Sequence, residues 1–149
     1  LPSVLNYLNI NLDNTNQIVA GASMGGLMSM KTSILFPQFR NIISLSPAFW
    51  FGYPSVLNDV KNLSNESSTY LYTGKKEGHI FGDHVKNIFP NHWDLDFSNN
   101  DDFYYSGVKK IEDSLKSNNK TVIFSFQENG HHNETSWASA ILEILGKLI

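Results

Sequence analysis

Residues 17–26, Gln-Ile-Val-Ala-Gly-Ala-Ser-Met-Gly-Gly, constrain the fold more than any other stretch of the chain. A short apolar run, Gln17 to Ala22, reads as a buried strand and leads straight into a Gly-X-Ser-X-Gly pentad. From Met24 to Phe36 the residues Leu27, Met30, Ile34 and Leu35 recur at helical spacing, and Pro37 follows just past the end. A strand that becomes a helix within a residue or two brings the two backbones close together. Gly21 and Gly25 are expected to remove the side chains that would collide there. Ser23 would then stand out from the sheet at the positive end of a helix, with the Met24 N–H placed to meet a developing oxyanion. The pentad by itself also fits a glycine-rich turn that packs a helix on a strand, so the rest of the chain has to decide.

The remaining pattern alternates strands with helices. Val4, Leu5 and Leu8 suggest a helix over residues 2–9 with Ser3 as its cap, and 11–16 is turn chemistry. Strands are expected at Ile42 to Leu45, at Thr69 to Thr73 (halted by Gly74) and at Thr121 to Phe126. Tyr104, Val108, Ile111 and Leu115 mark an amphipathic helix, and Trp137, Ile141, Leu145 and Leu148 a terminal one beginning near Asn133. Such alternation implies an α/β fold, a mostly parallel sheet with helices on both faces. With no repeat and no Pro- or Gly-rich linker, residues 1–149 read as a single domain.

Composition narrows the functional classes. A net charge of −3 with scattered acids and bases gives no footprint for nucleic acid and no polybasic membrane patch. No apolar run approaches the roughly 20 residues that span a bilayer. The absence of cysteine excludes disulfides, thiolate metal sites and a cysteine nucleophile, and leaves the compartment open. His79, His84 and His92, with Asp83, Asp94 and Asp96, show no zinc-type spacing, so neither a metal nor another cofactor is expected.

A serine hydroxyl needs a base to become a useful nucleophile near neutral pH. His131 and His132, in Gln-Glu-Asn-Gly-His-His-Asn-Glu-Thr-Ser-Trp, follow the last strand at the carboxyl edge of the sheet, the edge at which Ser23 also lies. Glu77 follows the third strand at that same edge and could orient the imidazole. The order Ser23, Glu77, His132 is the nucleophile–acid–histidine order of α/β-hydrolases.

Four blocks, VAGASMGGLMS, SLSPAFWF, YLYTGKKEG and GHHNETSW, occur in the order seen in an esterase family of α/β-hydrolases, and the chain resembles the carboxyl-terminal part of that family. The family includes enterochelin-type siderophore esterases and feruloyl esterases. The resemblance implies hydrolysis of small carboxylic esters through an acyl-enzyme, with Ser23 as nucleophile, His132 rather than His131 as base, and Glu77 as acid. His132 is preferred because the family's histidine precedes a tryptophan by five positions, which matches Trp137. Some members have a weak or displaced acid, so Asp94 and Asp96 are kept as alternatives to Glu77. The family's N-terminal strands are not represented, nor the loop that supplies a second oxyanion donor, and the strand at 17–22 is therefore expected to lie exposed and to favour self-association. A relic or binding module that keeps the fold without catalysis is the alternative function.

Phe49 and Trp50 are candidates for an apolar wall beside Ser23, and core packing is the other reading. Residues 78–102 are longer and more aromatic than the family pattern, and the acidic-aromatic segment at 92–105 reads as a solvated loop with Asp101 or Asp102 capping the next helix, or as a lid. Trp137 is expected in the core, fixing the His132 loop.

Overall fold

A computed structural model describes residues 17–89, 92–94 and 96–148. The helix expected at 2–9 and the turn at 11–16 lie outside them. Strands β1 (Gln17–Ala22), β2 (Phe39–Leu45), β3 (Ser68–Lys76) and β4 (Thr121–His131) form one sheet in the order β1-β2-β3-β4. Every pairing in it is parallel. Each crossover carries a helix: α1 (Met24–Leu35), α2 (Val56–Asn62) and α3 (Asn100–Ser117), while α4 (Glu134–Leu148) follows β4.

Side chains alternate across the central strands, and the two faces collect different partners. Ile42 and Leu71 face Leu27 and Met30 of α1, Val60 of α2, and Val108, Ile111 and Leu115 of α3. Ile43, Leu45, Tyr70 and Tyr72 face Ala140 and Ile144 of α4. Helices therefore cover both faces, and the central strands are apolar on both sides, as parallel strands require. Among the described residues β1 pairs on one side only, with β2, and Ile18 is 40% exposed. No helix among them is long and apolar enough to cross a membrane.

Two expectations are corrected. Gly74 does not halt β3. The strand continues to Lys76, and β4 runs on to His131, with Gly74 opposite Gln127 and Lys76 opposite His131. A β-carbon on Gly74 would sit 2.2 Å from the Gly130 carbonyl oxygen, so the glycine lets the strands stay in contact where a side chain would part them. The irregular register gives β4 two extra residues just before His132.

The segment after β3 is not simply a solvated loop, because part of it is core. Val85, Trp93 and Phe97 are buried in the main core, and Gly107 of α3 makes room for the Trp93 ring, which a β-carbon there would meet at 2.2 Å. The cap of α3 is Asn99, whose side chain accepts from the Asp102 N–H at 2.9 Å. Asp101 instead accepts from the Gly78 N–H at 2.6 Å and so ties the turn after β3 to the start of α3. Composition suggested polarity, but the aromatic residues interleaved with the acids have a core to enter.

Candidate active site

The connection between β1 and α1 has the strained geometry that the pentad implies. Ser23 has φ 56° and ψ −121°, a left-handed conformation that costs a non-glycine residue on the order of 1–3 kcal/mol. Its surroundings hold it there: the Ser23 N–H donates to the Leu45 carbonyl at 2.9 Å, and its own carbonyl accepts from the N–H groups of Ala48 and Gly26, each at 3.0 Å. The two glycines serve differently from the expectation. A β-carbon on Gly21 would meet the Gly25 carbonyl oxygen at 2.3 Å, whereas one on Gly25 would face open space. The crowded glycine on the helix side is Gly26, where a β-carbon would lie 3.1 Å from Pro47 and 3.2 Å from the Gly21 carbonyl oxygen. Met24 is the first residue of α1, so its N–H has no acceptor within the helix and sits at the positive end of the dipole.

Three side chains from three strand ends meet in line. Ser23 Oγ lies 2.9 Å from His132 Nε2, and His132 Nδ1 lies 2.9 Å from Glu77 Oε2. The Glu77 side chain is wholly buried and that of His132 is 9% exposed. Glu77 Oε1 is satisfied separately, accepting from the Gly74 N–H at 2.5 Å and from Ser46 Oγ at 2.6 Å. A buried carboxylate with hydrogen bonds to both oxygens is oriented as well as solvated. It fixes the neutral ring with hydrogen on Nδ1, which leaves Nε2 free to accept from Ser23.

The imidazole is also clamped by rings. Tyr104 stands edge-on to His132 at 5.3 Å between centroids, and Trp137 at 5.0 Å and 84°. Both reach one further residue. Trp137 Nε1 donates to Ser46 Oγ at 2.9 Å, and Tyr104 Oη donates to the Ser46 carbonyl at 2.6 Å. Burial and then the charge of Glu77 push the Tyr104 phenol well above its usual range, and the same two causes push Tyr72 up to about 12. Tyr104 therefore donates its proton throughout the neutral range. Trp137 packs against the α4 core as expected, and its indole N–H adds a polar contact that packing alone does not predict. Ser46 was missed from sequence. The signal was its place directly after β2, at the sheet edge that also carries Ser23, Glu77 and His132.

The other candidates have these surroundings. His131 has its ring beside that of His79, tilted at 59° with 5.7 Å between centroids. Asp94 accepts from Tyr53 Oη at 2.5 Å, and Asp96 is exposed. Phe49 is fully buried in the core, while Trp50 is half-buried among Phe81, Phe89 and Phe51. Among the described residues no group of three or more His, Asp or Glu side chains is placed to hold a metal ion.

Solved structures share this architecture. A ferulic acid esterase superposes with a TM-score of 0.65 at 12% identity, over 96% of this chain and 54% of that one. The enterobactin esterase of Shigella flexneri gives 0.64 at 15%, over 99% and 36%. An IroE-like serine hydrolase from Shewanella oneidensis gives 0.59 at 17%, over 94% and 41%. The chain thus spans between about a third and about half the length of these proteins, and what it shares with them is the α/β-hydrolase fold. No family model matches the sequence, and no curated protein matches it.

Proposed function

We propose that this chain is the catalytic part of a serine esterase that cleaves small carboxylic esters through an acyl-enzyme, residues 1–149 corresponding to the carboxyl-terminal portion of a longer hydrolase domain. The observation that carries the reading is the unbroken line Ser23–His132–Glu77, built on a strained turn at the head of a helix. Ser23 Oγ gives its proton to His132 Nε2 as it attacks the ester carbonyl carbon. The resulting oxyanion develops toward the Met24 N–H, at the positive end of α1. His132 then delivers the proton to the departing alcohol, which leaves an acyl group on Ser23. Water, activated by the same imidazole, releases the acid. Glu77 holds the ring in the accepting tautomer and stabilises the imidazolium, a role its burial strengthens. The ferulate and enterobactin esters named for the fold neighbours set a natural first panel of substrates, beside a short-chain p-nitrophenyl ester.

The test is hydrolysis of p-nitrophenyl acetate by the full chain against its Ser23→Ala variant. Turnover that falls at least about a thousandfold supports the reading, since losing a triad nucleophile typically removes more than that. Equal turnover by the two proteins would reject it.

A further inference from the structure

We propose that Ser46 is a positioning residue of the triad: its hydroxyl joins Trp137 to Glu77, so that the helix following His132 and the acid facing it are locked to each other. The proposal rests on the serine-esterase reading of the same site. Ser46 is fully buried and sits at the end of β2, between the strand that carries Ser23 and the strand that carries Glu77. A hydroxyl offers one proton and two lone pairs, and here the roles are fixed by the neighbours. The indole of Trp137 can only donate, so Ser46 Oγ accepts from it at 2.9 Å. Its own proton then goes to Glu77 Oε1 at 2.6 Å. The hydrogen-bonded path closes on itself: His132 to Glu77, Glu77 to Ser46, Ser46 to Trp137, and from Trp137 back to His132 through ring contact and the first turn of α4.

Ser46 also has φ 41°, a left-handed backbone that a serine does not adopt without help. The Ser46 N–H donates to the Tyr72 carbonyl at 2.7 Å, and the Ser46 carbonyl accepts from Tyr104 Oη. Strain held by contacts from two other elements, at a residue whose side chain touches the acid, is the pattern of a site that is shaped rather than merely filled. A buried serine serving only to fill space would not need its hydroxyl polarised from one side and spent on a carboxylate at the other. The titratable groups packed around the pair, Tyr104 from α3 and Tyr72 from β3, both keep their protons.

The consequence has a sign. The Ser46 proton spreads the negative charge of Glu77. Without it the carboxylate accepts the His132 Nδ1–H more strongly. In Ser46→Ala, the His132 Hδ1 resonance followed by NMR is therefore expected to shift downfield from its position in the unaltered full chain. With it, kcat falls roughly tenfold with KM little changed, as for a misplaced catalytic group. Ser46→Gly also lacks the hydroxyl but relieves the left-handed backbone, so it gives the same shift in a protein at least as stable. Trp137→Phe keeps a ring against His132 and removes only the N–H. Its smaller shift runs in the same direction and vanishes when Ser46 is already alanine.

Shifts in both Ser46 variants, with no further effect of Trp137→Phe on top of them, support the proposal. An unmoved His132 Hδ1 resonance in both Ser46 variants, or a Trp137→Phe shift that persists without the hydroxyl, overturns it. Labelling of Ser23 by an organophosphonate separates this from the esterase reading. A labelled, active protein with an unmoved His132 loses only the Ser46 proposal. An unlabelled, inactive protein loses the esterase reading, while the Hδ1 resonance still decides whether Ser46 governs His132.

Discussion

Gly21 and Gly25 touch backbone to backbone: a β-carbon on Gly21 would lie 2.3 Å from the Gly25 carbonyl oxygen. The contact is one-sided, because a β-carbon on Gly25 would meet nothing within 4 Å. The two glycines look equivalent in the pentad and are not. Gly21→Ala is expected to destabilise the protein by about 1–3 kcal/mol, the scale of overpacking where neither partner can yield. Gly25→Ala, in the first turn of α1, should be neutral or stabilising by up to about 1 kcal/mol through helix propensity. Urea denaturation of the two variants checks this. Equal losses would mean that the strand–helix approach is not what the pentad protects.

Adjacent histidines give a sharp internal control. His132 lies in line with Ser23 and Glu77, while His131 pairs its ring with His79. His132→Ala should therefore lower ester hydrolysis by at least about a thousandfold, and His131→Ala by less than about threefold. Glu77→Gln should fall between them, since the acid orients the base and does not react itself. A His131→Ala variant that is folded and inactive, beside an active His132→Ala, would reverse the assignment.

How much of this was legible in the sequence differs by layer. The order of strands and helices follows from periodicity, because parallel strands buried on both faces and amphipathic helices leave clear apolar patterns. The α/β architecture read from that pattern is the one found. Ser23, Glu77 and His132 could be named as candidates because each sits directly after a strand, and a parallel sheet brings strand ends to one edge. Strand ends themselves were harder. Gly74 looks like a terminator, and only its contact with Gly130 shows that a glycine can prolong a pairing. The segment around Trp93 mixes acids with aromatic residues, so its composition alone suggests a solvated loop, whereas burial is decided residue by residue and its rings had a core to fill. Ser46 also sits directly after a strand, but its partners come from three other elements and cannot be read along one chain.

The edge of the sheet offers a third prediction. Among the described residues β1 has a partner strand on one side only, and its exposed Ile18 is apolar. Natural edges carry charges or prolines that discourage pairing with another chain, and Gln17–Ala22 has neither. Residues 1–149 expressed alone should self-associate with rising concentration, and Ile18→Lys should shift the population toward monomer. Sedimentation velocity over a range of concentrations reads both. A protein that stays monomeric throughout would show that this edge is covered within the chain.

His92 supplies the acid-side prediction. Its ring packs among those of Trp93 at 4.9 Å, Tyr53 at 5.2 Å, Phe89 at 5.3 Å and Phe103 at 5.5 Å. Burial there lowers its proton affinity below the usual value of 6.5, although a backbone contact with Trp50 and the charge of Asp94 pull the other way. A base whose affinity is depressed in the folded state is protonated first in the unfolded chain. The unfolded state then binds more protons, and stability falls as pH drops from about 6.5 toward the lower folded value. Above 6.5 this group contributes no pH dependence. Urea midpoints should therefore decline between pH 7.5 and 5.5, and more steeply in the unaltered protein than in His92→Phe, which has nothing to protonate at that position. Comparing the two slopes, rather than the two stabilities, removes whatever the phenylalanine does to packing. Parallel slopes would mean that His92 takes up its proton as readily in the folded protein as in the unfolded chain.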